Sequence, residues 1–390
     1  MLDVVSFISS NTDEGRLSSL CSTDLSKAFN CVDHCKLLNK LECNGISSHW
    51  FSDYFRNRKQ CVKGGDLVKS VPIGVPQGSI VGPIMFLLFT NDLSCYLSDE
   101  CKIVAYADDT QLLHSGAPNV TGLAHLKAGI ENDLAIVSKW FKSNGLKLNP
   151  NKTEFITFGT PHQTKQANNF EVTFENTSLK SADTVKILGI TLDKHLTGEQ
   201  QTSITTKRCF GALISISKLA HTLPRKTTKT LIEALVYPHM RYCLPAWAPV
   251  TSQNHQRLNK AVNFGVRIVT GKNKYDRISA ARRELGWPTF GDLVSISDSS
   301  AIHKLVHEPD GPQKNKTLIK RRYEVSSRTT RASSDSTVIQ TANARPPNLE
   351  NTKKRFPYRA VGTWNALPDT ARHTKNRHSF NKRIKTILRS

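Results

Sequence analysis

Tyr106-Ala107-Asp108-Asp109 sets two adjacent carboxylates between the apolar runs Ile103-Val104-Ala105 and Leu112-Leu113. That pattern predicts a strand, a tight turn and a second strand, with both acids at the tip of a hairpin. Like charges crowded at a tip repel, and Mg²⁺ prefers such oxygen ligands as its partners. Standing alone, an Asp-Asp turn is more often simply solvated. A second acidic segment changes that balance. Asp24, in Thr23-Asp24-Leu25-Ser26-Lys27-Ala28-Phe29-Asn30, falls at a predicted strand-to-helix junction. Phosphoryl transfer by two metal ions draws carboxylates from at least two chain segments, because the ions sit roughly 3.5–4 Å apart and bridge the attacking and leaving oxygens. Asp24 can supply the bridging ligand, Asp108 the second, and Asp109 can tune or assist. Taken alone, Asp24 fits a helix N-cap equally well.

The third chemical element is a loop, Pro72-Ile-Gly74-Val-Pro76-Gln77-Gly78-Ser79-Ile80-Val-Gly82-Pro83. Gly74 and Gly78 permit close backbone approach, Pro76 stiffens the chain, and Ser79 is placed to cap the helix that follows. A rigid loop poor in side chains and carrying one amide, Gln77, suits packing under a base pair. An ordinary capped loop has the same composition.

These segments need a scaffold. Up to about residue 193, short apolar segments alternate with helical ones, as in an α+β domain. Residues 30–41 and 48–56 read as helices. Residues 84–97 are apolar nearly all round, which predicts a buried helix. Residues 123–144 carry apolar side chains at 126, 130, 134, 137, 140 and 141, an amphipathic helix. Residues 169–192 predict two or three short strands around Asn176 and Gly189. From 200 to about 270 the pattern is wholly helical. Residues 321–351 are rich in Ser, Thr, Arg and Asn and read as a basic linker or disordered stretch. A compact patch from Phe356 to Pro368 precedes a basic helix over 378–388.

Charge is distributed unevenly along the 390 residues, whose formal net charge is +22. Residues 1–150 carry 14 Lys and Arg against 15 Asp and Glu, residues 151–300 carry 20 against 11, and residues 301–390 carry 20 against 6. A near-neutral, acid-bearing front with a basic rear suits a polyanion held by the rear and worked on by the front. A solvated basic tail is the plainer reading. Nine cysteines, an odd number without Cys-x-x-Cys spacing, argue for a reduced intracellular setting with neither a disulfide framework nor a zinc site. No apolar run is long enough to span a bilayer.

In order along the chain, Asp24-Leu-Ser-Lys-Ala-Phe, Gly74-Val-Pro-Gln-Gly-Ser, Tyr106-Ala-Asp-Asp, Leu148-Asn-Pro-Asn-Lys152-Thr and Leu188-Gly189-Ile-Thr-Leu-Asp193 resemble reverse transcriptases. The resemblance is specifically to those of non-LTR retrotransposons of the jockey-like kind. Tyr242-Cys243 with Trp247, and the patch from Phe356 to Leu388, resemble the same family's C-terminal region. The resemblance implies an α+β fold: a right-hand polymerase palm with an antiparallel sheet and packed helices over 1–196. An α-helical thumb over 197–270 would follow, then a basic, partly disordered region over 271–390 with its linker at about 321–351.

The resemblance also implies roles. Asp24, Asp108 and Asp109 would hold two Mg²⁺ ions, with Mn²⁺ as a substitute. Phe29 would lie beneath the incoming sugar and exclude a 2′-hydroxyl; core packing is its other role, and both can hold together. Gln77 and Gly78 would contact the template and nascent pair. Lys152 would give a proton or a charge to the departing pyrophosphate, although a surface lysine would look the same. Leu188 and Gly189 would mark the primer grip. The partners implied are an RNA template, a DNA primer or duplex, and dNTPs, with no membrane.

Three departures set a second expectation beside the first. Only 23 residues precede Asp24, so the fingers that bind the triphosphate are expected to be largely missing from an N-terminally truncated chain. Cys21-Ser22-Thr23 is polar where a central strand should be apolar. Asn30 stands where the family has Asp. The leading expectation is an RNA-directed DNA polymerase, and its alternative is a catalytically incompetent, nucleic-acid-binding remnant.

Overall fold

The computed structural model describes residues 1–25, 27–61, 68–307, 319–321, 337–341, 349–356 and 358–388. Helices and antiparallel strands are mixed, as an α+β chain requires. Contacts divide the chain into two compact units, Gly15–Asp183 and a helical unit comprising Met1–Glu14 with Thr184–Ser390. The helical unit opens with α1 (Leu2–Asp13).

The first of these, the sheet unit, contains β1 (Leu17–Thr23), α2 (His34–Cys43), α3 (His49–Phe55), β2 (Lys59–Cys61), β3 (Val68–Ser70) and α4 (Val81–Thr90). It continues through β4 (Lys102–Tyr106), β5 (Asp109–Gly116), α5 (Val120–Ser143), β6 (Glu154–Phe158), α6 (Pro161–Gln166), β7 (Glu171–Phe174) and β8 (Thr177–Lys180). Its main sheet is antiparallel in the order β4-β5-β1-β6. β1 is thus a central strand, paired on both sides, with its polar Ser22 and Thr23 in place. Two ladders absorb its backbone groups, Leu17, Leu20 and Cys21 are fully buried, and Thr23 Oγ1 donates to Thr110 O at 3.2 Å. Pairing and burial override side-chain propensity here.

α5 buries Leu126, Ile130, Leu134, Val137, Trp140 and Phe141, the six positions its period predicts. Asn119 caps it by accepting from Gly122 N at 2.7 Å, and Gly145, at φ +76°, follows its end. Each large apolar side chain so buried contributes about 1.5–3 kcal/mol before entropy. α4 departs from the expected buried cylinder. Met85, Phe86 and Phe89 are buried, whereas Ile84 and Leu87 are each about half exposed. A segment apolar on every side gives no direction, so tertiary packing chose the inner face. The expected continuation to residue 97 is a separate 3₁₀ turn over Asn91–Tyr96.

In the helical unit, β9 (Thr184–Ile187) and β10 (Ile190–Asp193) form a hairpin, so residues 169–192 hold four strands rather than two or three. Both hairpin turns have two residues at positive φ, Glu175-Asn176 and Leu188-Gly189, as a type I′ turn demands. Then come α7 (Glu199–Leu219), α8 (Arg225–Leu235), α9 (Tyr237–Arg241), α10 (Leu244–Trp247), α11 (Ser252–Thr270), α12 (Ser279–Leu285) and α13 (Phe290–His307). The C-terminal elements are β11 (Ile319–Arg321), β12 (Ile339–Thr341), α14 (Glu350–Lys353), α15 (Tyr358–Asn365), α16 (Asp369–Arg372) and α17 (Arg377–Ile387). Trp364, Phe356, Phe380 and Ile384 pack with Ile302 of α13 and Ile339 of β12 into one core. Much of the expected linker, 322–336 and 342–348, lies outside the described residues. Among the described residues no helix is long and apolar enough to cross a membrane, and all nine cysteines are free thiols.

Candidate active site

Register brings the acids together. β1 pairs with β5 so that Thr23 faces Thr110, which sets Asp24, the next residue after β1, beside Asp109, the first of β5. Asp109 in turn faces Tyr106 across the hairpin. The loop between them is only Ala107-Asp108, and it holds Ala107 at φ +54°, a left-handed conformation uncommon for a residue with a Cβ. Asp108 thus sits at the tip, as the flanking apolar runs predict. The Asp109 carboxyl is pushed above its ordinary range, first by burial and then by the negative charges of Asp108 and Asp24. That mutual repulsion is the electrostatic condition a divalent cation relieves, and the donors are all oxygen, as Mg²⁺ requires. The three carboxylates are not drawn to ligand spacing. Among the described residues the donors within 4.8 Å of one another belong to a different set, Cys101, His114 and Asp133.

Lys152 joins the acids from the segment that follows α5 in the chain. Leu25 bridges Leu148, and Asn149 N donates to Asp24 O at 3.1 Å, which fixes the 148–152 segment against Asp24. A 3₁₀ turn over Pro150–Lys152 then brings Lys152 Nζ to 2.9 Å from Asp24 Oδ2.

The glycine-rich loop is tied to the segment after Asp24. Gly74 N donates to Val32 O at 2.7 Å and Val75 N to Phe29 O at 2.7 Å. A Cβ on Gly74 would lie 2.8 Å from Asn30 O, so only glycine allows this approach. Phe29 packs on Phe86, ring centroids 4.8 Å apart, and is half-buried. Gln77 Nε2 donates to Asn30 Oδ1 at 3.3 Å, and Gly78, at φ +83°, faces open space. Ser79 Oγ accepts from Gly82 N at 2.9 Å at the start of α4, as its predicted capping role requires.

Leu188 and Gly189 belong to the helical unit. Their turn is held by Tyr242, whose hydroxyl donates to Leu188 O at 2.8 Å, while Trp247 Nε1 donates to Tyr242 O at 2.8 Å. Motif residues from two segments distant in sequence, Leu188-Gly189 and Tyr242 with Trp247, therefore form one cluster within that unit.

Residues 4–192 match the family model described as reverse transcriptase (RNA-dependent DNA polymerase). Residues 4–192 are a reverse transcriptase domain. The chain is 29% identical over 299 residues to the probable RNA-directed DNA polymerase from transposon BS of Drosophila melanogaster, covering 72% of this chain and 32% of that protein. The RNA-directed DNA polymerase from mobile element jockey of the same species is 22% identical over 255 residues, 62% of this chain and 27% of the relative. A Pol polyprotein from the type-1 retrotransposable element R2 of Popillia japonica is 29% identical over 167 residues, 38% and 25%. The kinship expected with jockey-like non-LTR elements holds, and the chain spans about a third or less of the length of these curated relatives. A Candida albicans telomerase solved with a fragment of telomeric RNA superposes with a TM-score of 0.30 and 11% identity over 75% of this chain and 53% of that one, too loosely to carry an argument.

Two further side chains of the reverse transcriptase domain escaped sequence reasoning. A cavity of about 550 Å³ is lined by Asn30, Arg58, Lys59, Gly74, Pro76 and Gln77, among others. Arg58 stacks its guanidinium over Tyr54 at 4.7 Å, which holds a cation beside the glycine-rich loop. The signal was the basic run Arg56-Asn57-Arg58-Lys59, unremarkable until the fold sets it against Gln77.

Proposed function

We propose that this chain is the RNA-directed DNA polymerase part of a non-LTR retrotransposon protein, copying an RNA template onto a DNA primer. The observation that carries this reading is the β1–β5 register, which sets Asp24 beside Asp109 at the hairpin tip. The primer 3′-oxygen forms a bond to the α-phosphorus of a dNTP, the bond from that phosphorus to the β-phosphate bridge oxygen breaks, and pyrophosphate leaves. Asp24, Asp108 and Asp109 would hold two Mg²⁺ ions, which supply charge neutralisation and a lowered 3′-hydroxyl pKa. The proton lost from the 3′-hydroxyl passes to solvent, and Lys152, 2.9 Å from Asp24, supplies a proton or a charge to the pyrophosphate.

Phe29 lies beneath the incoming sugar and selects the deoxy form. Gln77 and Gly78 support the template base and nascent pair, and Arg58 and Lys59, in the cavity they share with Gln77, neutralise phosphates. Leu188 and Gly189 form the primer grip, and α7, α8 and α11, with their many Lys and Arg, hold the duplex backbone without reading sequence.

The test supplies the purified chain with an RNA template, an annealed DNA primer, dNTPs and Mg²⁺, beside an Asp108→Ala control. Extension that disappears in the control is expected. Absence of extension by the wild-type chain, with duplex binding that weakens steeply with salt, would leave only a binding role.

A further inference from the structure

Three chemically different side chains converge in the sheet unit away from the aspartates. Cys101 precedes β4, His114 lies on β5 and Asp133 on α5. The Cys101 sulfur, an imidazole nitrogen of His114 and a carboxylate oxygen of Asp133 all lie within 4.8 Å of one another. His114 and Asp133 are buried, at 2% and 0% exposure, and Cys101 is half-buried. His114 Nε2 is 2.8 Å from Asp133 Oδ2, and Ser98 donates to the same carboxylate through N at 3.1 Å and Oγ at 2.6 Å. The Cys101 thiol is hydrogen-bonded to the Asp133 side chain as well, so all three side chains meet at one carboxylate. His114 Nδ1, by contrast, is buried without a hydrogen-bond partner, which costs free energy in any core.

We propose that Cys101, His114 and Asp133 form a binding site for a thiophilic divalent transition-metal ion of the Zn²⁺ class. Sulfur and imidazole donors favour Zn²⁺ over Mg²⁺ and Ca²⁺, which take oxygen. Three protein ligands leave a fourth tetrahedral position, and the half-buried thiol leaves that position open to water. Binding converts the Cys101 thiol to a thiolate and releases one proton to solvent, while His114 binds as the neutral imidazole and Asp133 as the carboxylate.

The ligands are 13 and 19 residues apart in sequence and meet only through the fold, so no spacing motif announces them. His114 lies five positions along β5 from Asp109, roughly 17 Å along a strand, so this site is distinct from the aspartates. An ion there would tie the base of the β4–β5 hairpin to α5, the hairpin whose tip carries Asp108 and Asp109. The inference stands independently of the polymerase reading.

The test uses the full chain, freed of metal by chelation and titrated anaerobically with Co²⁺ as a spectroscopic substitute for Zn²⁺. One equivalent of thiolate-bound Co²⁺ per chain is expected, read from a thiolate-to-cobalt charge-transfer band that excess Zn²⁺ abolishes. Cys101→Ser, which keeps volume and hydrogen bonding, removes the band; Cys43→Ser, at an exposed thiol, and Asp108→Ala leave it intact. Wild-type chain that develops no stoichiometric thiolate-to-cobalt band overturns the inference, as does a band that survives Cys101→Ser. The first of these outcomes needs no variant to fold.

Discussion

The Lys152 ammonium lies 2.9 Å from Asp24 Oδ2, a pair brought together across 128 positions of sequence. Lys152 is 65% exposed, and an ion pair so open to water adds at most about 1 kcal/mol to stability. A lysine held there for chemistry should show a large kinetic effect beside that small one. Lys152→Met is expected to slow single-turnover primer extension about 100-fold while shifting urea stability by less than about 1 kcal/mol. Extension at the wild-type rate would reduce Lys152 to a surface charge.

Asp109 carries the electrostatic cost of the site. Burial, then the charges of Asp108 and Asp24, raise its carboxyl above the ordinary range. A proton held more tightly in the fold than in the unfolded chain favours the fold at acid pH. That advantage is lost, and the fold is penalised, as pH rises past the ordinary carboxylate value of about 4 and then past the raised one. Asp109→Asn is therefore expected to melt higher than wild type at pH 7 in chelator, with the difference fading toward pH 4. Added Mg²⁺ should narrow it at pH 7 by stabilising the wild type. A variant that melts lower than wild type at pH 7 in chelator would contradict this account.

How much of this was legible depended on whether a pattern had a direction. α5 was, because Leu126, Ile130, Leu134, Val137, Trp140 and Phe141 repeat with the period of a single helical face. The hairpin was, because apolar runs flank a polar tip. β1 was legible as the strand leading into Asp24 but not in its inner face: a strand covered on both faces and paired on both sides loses the alternation that gives it a direction, and its Ser18 and Ser19 are buried all the same. Nor was the exposed face of α4, since Ile84 and Leu87 look no different from Phe86 in sequence. Arg58 became a candidate only when folding set it beside Gln77. Residues joined by tertiary approach alone leave no spacing to read.

The glycine-rich loop should tolerate substitution at one glycine better than the other. Gly74 has φ +89°, and a Cβ there would meet the backbone of Asn30 at 2.8–3.0 Å, atoms that cannot yield without moving the chain. Gly78 has φ +83° but no atom within 4 Å. Gly78→Ala is expected to cost only the left-handed strain, about 1–2 kcal/mol. Gly74→Ala adds the clash, so its urea midpoint should fall further, and it should lose more extension activity as the Gln77–Asn30 contact shifts. Equal midpoints would show that the loop moves away from Asn30 without cost.

Within the helical unit, Arg359 holds a fully buried carboxylate. Its Nε and Nη2 donate to Asp298 Oδ2 and Oδ1 at 2.6 and 3.0 Å. Burial raises the Asp298 carboxyl, and the guanidinium opposes that rise. Arg359→Met leaves an unpaired buried acid and is expected to cost about 3–5 kcal/mol. The double variant Arg359→Met, Asp298→Leu removes both charges and should recover much of that loss. Denaturation of the two variants decides it, and a double variant no more stable than the single would argue that packing, not charge, is what Arg359 supplies.

Phe29 separates packing from selection. Its ring rests on Phe86 at 4.8 Å, and its carbonyl accepts from Val75 N at 2.7 Å, so the side chain is braced from below and the backbone is pinned to the glycine-rich loop. On the proposed reading the incoming sugar lies above this braced ring, and a 2′-hydroxyl there would clash with it. Phe29→Val keeps an apolar branched side chain and the backbone bond while opening space above, at a stability cost of about 1–3 kcal/mol. Discrimination built on one steric contact is worth about 1–3 kcal/mol, or about 10- to 200-fold. The variant is accordingly expected to raise ribonucleotide incorporation at least 10-fold relative to the matching deoxynucleotide, measured as the ratio of the two kcat/KM values at a temperature where both proteins are folded. If the ring serves the core alone, both values fall together and their ratio stays at the wild-type value.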